Sequence, residues 1–380
     1  MTRASVSRLP ATPRWVAGRL AWLVGPLAAW VALELAVLPI DAFTFRAWEA
    51  LVVKSQQANL PGPFYPDREL ELDEAGDQDP TGPRDRRVRW RTDRFGYRNE
   101  TAVAERPVQD VVLVGDSHIA GSRLSQPETL AVRLEAMTGW RVYNHGFNGA
   151  VDLARLLGDP RFDPRRGGAA PGVVVFELRP VDVDLGMSRL PAVSALLSGS
   201  EFGAAGGAAE AWVLLDRLRK LNSLQWIRAR LRVRLPGSPP GPTADRYPEA
   251  AAAVGAGAPI SERAAAHAAS ILMGYAAAVR DRLGCEMGVL LMADRMVRPS
   301  ADDLVRRLEE AGVPLIDLRR GGPDPFFFPR DSHWRPASVQ WAAQRLAAAV
   351  PVWVGPERLK RFGDPSTLQP AKVPLNAAGP

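Results

Sequence analysis

The chain has a single cysteine, Cys285, so no intrachain disulfide can staple it. Lying beside an expected strand, that cysteine reads as a small buried residue. A secreted protein of this length does not require disulfides, so their absence does not assign it to the cytosol. Lysine is rare, while arginine, alanine, glycine and proline are abundant, a usage that a nucleotide-composition bias accounts for. The basic balance also lacks order. At a net charge of +6 and a pI near 9.9 the arginines are scattered, with no aromatic-plus-basic stripe and no nucleic-acid module. No nucleic-acid partner is expected, only a mildly basic, solvated surface with some preference for acidic polymers or anionic lipid. There is no internal repeat. The apolar share of 46% and charged share of 24% exclude wholesale disorder. Its 380 residues can hold one large α/β domain with extra segments, or two small domains.

Residues 1–19 hold Arg3, Arg8, Arg14 and Arg19 with no acidic residue, and 20–40 is apolar except for Glu34. Some 20 apolar residues are enough to cross a bilayer core, and the basic flank places the N-terminus inside. Trp15 and Trp22 sit near the basic end, where interfacial tryptophans are favoured. The expectation is a single uncleaved membrane anchor. A buried core helix is one alternative; a cleaved signal peptide is the other, although no small-x-small site follows. Residues 41–87 read as a polar linker or cover segment, and Thr92–Asn99 (TDRFGYRN) as a turn packing two aromatics onto the domain beside the first strand.

The next part of the chain alternates strand and helix. Strands are expected over Val111–Val114, Arg141–Tyr143, Gly172–Leu178, Met287–Met292 and Val313–Leu318. Helices are expected over Glu128–Thr138, from near Asp152, and over Ser261–Leu283, Ala301–Ala311 and Arg335–Val350. Such alternation argues for a parallel sheet with helices on both faces. Between Tyr143 and the next helix, Asn144–Gly149 (NHGFNG) reads as a loop. Residues 185–260 break the alternation with a basic amphipathic stretch and a Pro/Gly/Ala tract, an insertion of the helical-flap kind. Residues 355–380 read as a peripheral tail.

Two stretches carry chemistry. Gly115-Asp116-Ser117-His118 follows the first strand, at the carboxyl edge where ligands collect in open α/β sheets. Asp331-Ser332-His333-Trp334 lies between the last strand and last helix, on the same edge. A serine nucleophile needs a base for its proton, and the base needs a partner to fix its tautomer. Ser117, His333 and Asp331 would supply the three. Each stretch also has a bland reading: Gly-Asp-Ser as a capped strand-to-helix turn, and Asp331 as a helix cap beside a packed His333 and Trp334. His118 lines the site or packs under the helix start, His145 sits in the glycine loop, and His267 is an ordinary helix position. A metal held by Asp116, His118 and Asp331 has no HExxH or CxxC spacing behind it. No metal and no cofactor are expected.

Together these stretches resemble the SGNH (GDSL-type) hydrolase superfamily over about residues 88–354. Gly115, Asp116 and Ser117 look like its first block; Asn144–Gly149 resembles the second, and Asp331 with His333 the last. The resemblance implies a three-layer α/β/α flavodoxin-like fold, Ser117 as nucleophile, and an oxyanion hole from Ser117, Gly149 and Asn148. Asp116, His118, Asn144, Arg179 and Trp334 would line the site. The family's final block spaces Asp and His by three, where this chain has two. The Asp-x-His-Trp spacing is similar instead to the alginate O-acetyltransferase-like branch, in which the segment precedes the serine. The third-block oxyanion Asn would fall near Val181, which has no donor; Arg179, Asn144 or Asn148 could substitute.

With the anchor expected at residues 20–40 placing the domain outside the cytoplasmic membrane, the resemblance implies an extracytoplasmic acyl-esterase or O-acyltransferase. Its substrate class would be O-acetyl esters of an envelope or exported polysaccharide, with envelope-modification partners. A non-catalytic SGNH-like module that binds glycan or scaffolds an export system is the rival, and a general lipase a third reading.

Overall fold

A computed structural model describes residues 22, 24–30, 46–52, 62–78, 83–147, 153–180, 183, 260–293 and 301–355. Five parallel strands form its main sheet: β3 (Val111–Gly115), β4 (Val142–Gly146), β5 (Val173–Leu178), β6 (Glu286–Leu291) and β7 (Leu315–Asp317). Their order across the sheet is β4-β3-β5-β6-β7. The first strand of the sheet thus lies between the second and third, and the chain reverses its direction of travel at β3. In doubly wound sheets that reversal opens the crevice in which ligands bind.

The strands are apolar runs because both faces are covered. Val112, Val114, Val174 and Phe176 face one layer, built from α5 (Leu153–Gly158), α6 (Glu262–Leu283) and α7 (Asp302–Glu310). Val111, Leu113, Val173 and Val175 face the other, built from α4 (Leu130–Thr138) and α8 (Pro336–Val354). Alternation along each strand therefore divides the core in two, giving the expected three layers. Helix ends follow local chemistry. The Ser261 hydroxyl accepts from Ala264 N–H at 3.2 Å to open α6. Gly284, at φ 68°, closes it in the left-handed region that other residues avoid.

Two parts of the fold differ from the sequence-based expectation. The stretch ahead of the sheet holds a short helix, α1 (Ala47–Leu51), and an antiparallel ribbon of β1 (Glu69–Glu74) and β2 (Arg86–Arg91). Its register sets Glu69 opposite Arg91, Glu71 opposite Arg89 and Asp73 opposite Arg87 on the open face. On the inner face Leu72 and Trp90 pack with Ala47, Leu51, Phe64 and Ala120 into a small core of their own. Second, Asn144, His145 and Gly146 complete β4 instead of forming a loop, because each pairs in register with Leu113, Val114 and Gly115. The Thr92–Asn99 turn does pack as expected: Tyr97 is buried, and Phe95 lies against the core.

Among the described residues no helix is long and apolar enough to cross a membrane. Residues 22 and 24–30 are helical, and the rest of the expected 20–40 anchor lies outside the described residues, as do most of the 185–260 insertion and the tail beyond 355.

Candidate active site

Ser117 owes its position to the two residues before it. β3 ends at Gly115, where a Cβ would overlap Glu177 Oε2 and the Ile119 side chain and come within 2.8 Å of Glu177 Cβ. Only glycine lets the chain turn that close to β5 and to its own next helix. Asp116 then caps the short helix α3 (Ser117–Ala120), its Oδ1 accepting from His118 N–H at 2.9 Å. Ser117 stands half-buried in the first turn of α3, where backbone N–H groups have no intrahelical acceptor. Arg98 holds the far end of that helix. Fully buried, it donates to the carbonyls of Ala120, Gly121 and Leu124 and lies 3.8 Å over the Trp90 ring.

His333 and Asp331 reach Ser117 from the loop between β7 and α8. His333 Nδ1 lies 2.6 Å from Asp331 Oδ1, and Nε2 lies 2.8 Å from Ser117 Oγ. An ionised carboxylate only accepts, so Nδ1 carries the proton and Nε2 presents a lone pair to the serine hydroxyl. The donors around Asp331 keep it ionised. His333 N–H adds a second bond to Oδ1 at 2.8 Å. Oδ2 accepts from Arg46 at 2.5 Å, Arg123 at 3.2 Å and Asp77 N–H at 3.2 Å. Burial alone would raise this carboxyl; His333 and Arg46, by charge and hydrogen bonds, hold it well below the usual carboxylate range. Asp77 also braces the loop, accepting from Ser332 N–H at 3.0 Å and from the Ser332 hydroxyl.

A second histidine–carboxylate cluster lies on the other side of the serine. His118 Nδ1 is 3.0 Å from Asp116 Oδ1 and 3.5 Å from Glu177 Oε1, while Nε2 faces the Ser332 carbonyl at 3.2 Å. Both ring nitrogens meet groups that only accept, so His118 is held as an imidazolium. Burial pulls it down, but the Asp116 charge and hydrogen bond carry it well above the ordinary histidine range. Burial works against the Asp116 carboxylate too, yet Arg179, 3.0 Å from Oδ2, and His118 hold it well below its usual value. Glu177 takes the opposite course, pushed up to about 8 by burial and by Asp116 despite His118. It accepts from Asp116 N–H at 2.7 Å. His118 thereby ties the Ser332 carbonyl, and with it the Asp331–His333 loop, to the helix that carries the serine.

The structure brings together Ser117, His333 and Asp331, with Asp116, His118 and Arg179 around them. Trp334 is buried, its ring 5.5 Å from that of His118 and edge-on to Phe326. Asn144 is fully buried and spent on the backbone: Nδ2 donates to the Ile119 carbonyl at 2.8 Å, and Oδ1 accepts from Gly146 N–H at 2.8 Å. Asn148, Gly149 and Val181 lie outside the described residues. His145 packs 4.1 Å from the Tyr97 ring, and burial with Arg161 nearby holds it neutral, well below its ordinary value. His267 is an exposed position on α6. Two groups have donors enough for a metal ion, Asp77/Asp331/His333 and Asp116/His118/Glu177. Arginines already supply positive charge to both, Arg46 and Arg123 on Asp331 and Arg179 on Asp116.

Sequence reasoning missed Arg46, Asp77, Arg123 and the place of Glu177 at the site. Glu177 left a trace, as the single charge in an otherwise apolar strand; the other three left none.

Residues 261–361 match the family model described as ALGX, SGNH hydrolase-like domain, acetyltransferase AlgX. The matched segment contains Asp331 and His333, and ends the sheet with β6 and β7. No curated protein matches the chain. Among solved structures, a carbohydrate acetylesterase family member from Sinorhizobium meliloti aligns at 11% identity, covering 66% of this chain and 100% of its own, with a TM-score of 0.31. Two others align at 14% and 12% identity, covering 65% and 66% of this chain and 97% and 100% of theirs, with TM-scores of 0.33 and 0.34. Over residues 261–361 the chain is similar to the SGNH hydrolase-like domain of the acetyltransferase AlgX family.

Proposed function

We propose that the protein is a serine acyl-esterase or O-acyltransferase acting on O-acetyl esters, with a polysaccharide of the envelope or of an export system as its substrate. The observation that supports this reading is the relay from Asp331 Oδ1 to His333 Nδ1 at 2.6 Å and from His333 Nε2 to Ser117 Oγ at 2.8 Å. Those distances are within the reach that general-base activation of a hydroxyl requires. A module that only binds glycan has no need of that geometry.

His333 Nε2 takes the Ser117 proton as Oγ attacks the ester carbonyl carbon. Asp331 keeps the imidazole in the Nδ1–H tautomer and stabilises the imidazolium that forms. Negative charge then develops on the carbonyl oxygen. Ser117 N–H, in the first turn of α3, would supply one donor to it, and the family resemblance assigns the second to Gly149 N–H. As the tetrahedral intermediate collapses, His333 returns the proton to the departing alcohol oxygen, leaving an acetyl-serine. Water, or a sugar hydroxyl, gives its proton to His333 and attacks that ester. Ser117 is released with acetate in the first case and with an acetylated sugar in the second. The family match to an acetyltransferase supports the acetyl group. In this reading residues 20–40 anchor the domain on the outer side of the cytoplasmic membrane.

The test uses the full chain in detergent with a chromogenic acetyl ester, then with an acetyl donor and glycan acceptors. Wild type is expected to release product, and Ser117→Ala and His333→Ala to lose nearly all of it. Equal inertness of all three toward ester and acceptor would overturn the reading and leave the binding module in its place.

A further inference from the structure

The segment that precedes the α/β sheet reaches into the relay itself. Arg46, at the N-cap of α1, is 1% exposed and lies 2.5 Å from Asp331 Oδ2, a residue 285 positions away. Its other neighbour is Glu74 on β1, with NH1 3.7 Å from Oε2 and both side chains buried. Glu74 is in turn fixed to the same helix start, accepting from Ala47 N–H at 2.7 Å. Asp77, three residues on, donates its N–H to Asp331 and receives the Ser332 backbone and hydroxyl.

From this arrangement we propose that Arg46 is a positioning residue of the active site, holding the Asp331 carboxylate in the plane and rotamer that orient His333 toward Ser117. The described stretches 46–52 and 62–78 are thereby a working part of the site. This rests on the serine-relay reading only for its effect on rate. The positional claim itself concerns the Asp331–His333 bond.

A carboxylate on a surface loop rotates freely about its last torsion. Here Oδ1 is taken by His333, so the side chain is fixed only if Oδ2 is also fixed. Three donors do that, and Arg46 is the one with the shortest contact. A charge-assisted bond in a buried setting is among the stronger anchors available to a side chain. Its charge has a second effect. Arg46 and Arg123 partly neutralise Asp331, and the imidazolium of His118, its ring 5.1 Å from that of His333, adds further positive charge. Asp77 Oδ2, 3.6 Å from His333 Nδ1, and Glu74 oppose them. Removing Arg46 takes away both its charge and the shortest contact on Oδ2.

The test uses the full chain and does not depend on turnover. A proton held between a histidine and a carboxylate resonates far downfield in ¹H NMR. Wild type is expected to show such a signal, absent in His333→Gln. Arg46→Gln is expected to broaden it or move it upfield, and Arg46→Lys to restore it in part. Because Arg46→Gln leaves Glu74 buried with one fewer cation, the double variant Arg46→Gln/Glu74→Gln serves where the single one unfolds. Acetyl-ester turnover is measured alongside, with kcat expected to fall about 10- to 100-fold and KM to hold, as for small misplacements of a reacting group. An unchanged downfield signal in folded Arg46 variants would overturn the proposal, whatever the turnover. A signal that responds in a protein with no turnover would uphold the positional claim and refute the esterase reading.

Discussion

Replacing Asp331 by Asn tests the relay most sharply, because the side chain keeps its shape and exchanges one acceptor for a donor. Oδ1 receives His333 N–H and Nδ1–H. Oδ2 receives Arg46, Arg123 and Asp77 N–H. An asparagine must set its NH₂ against one of these groups. At the Oδ2 position it would face two guanidinium ions, the costlier choice. It therefore turns its NH₂ toward His333, where Nδ1 can be satisfied only as an acceptor. The ring proton moves to Nε2, and the lone pair that would take the Ser117 proton is gone. A wrong tautomer of this kind costs about 10⁴ in kcat in a serine–histidine–aspartate relay, about 5 kcal/mol of barrier. Two buried arginines also lose a counter-charge while keeping an oxygen acceptor, and breaking a buried pair costs about 3 kcal/mol or more. The assay is acetyl-ester kcat/KM at pH 7 beside urea unfolding, with Ser117→Ala as the inactive reference. Activity of Asp331→Asn within about tenfold of wild type, where Ser117→Ala has none, would refute the orienting role of Asp331.

Other consequences are open to measurement. Gly115→Ala would push a methyl into Glu177 and Ile119, and is expected to cost about 1–3 kcal/mol in urea unfolding and to lower turnover; an unchanged midpoint would show that β5 yields freely. Arg98→Met removes the donors that hold the carbonyls of Ala120, Gly121 and Leu124, so a loss of about 3 kcal/mol or more is expected by thermal or urea unfolding. Glu177, pushed up to about 8 from an ordinary 4.5, keeps a proton in the fold that the unfolded chain releases. Stability therefore falls as pH rises from about 4.5 to 8, and Glu177→Gln is expected to flatten the fall by up to about 1.4 kcal/mol per pH unit. Parallel stability–pH curves for the two proteins between pH 6.5 and 8 would contradict the shift.

Much of this was legible in the sequence where a single local rule decided the outcome. The sheet strands read correctly because burial on both faces demands unbroken apolar runs, as in Val111–Val114 and Val173–Leu178. Ser117 and His333 were legible because both follow strands at the carboxyl edge, which the topology brings together. β1 and β2 were not, since Glu69, Glu71, Arg87 and Arg89 hide the alternation of Leu70, Leu72, Val88 and Trp90 behind paired charge. The end of β4 was misread because Asn144 and Gly146 favour turns, and only neighbouring β3 and Asn99 make an extended backbone there the better choice. Arg46, Asp77 and Arg123 were beyond any local rule: each acts on Asp331 across more than 200 residues.

That separation also sets an order of events. Synthesis makes Arg46, Asp77 and Ser117 more than 200 residues before Asp331 and His333. Until then the serine has no base, and the buried arginine has no carboxylate from that loop to hold. A chain arrested at any point before residue 333 lacks the proposed base, however well its first three sheet strands have formed. The relay contacts close only when the loop between β7 and α8 settles against both α1 and α3.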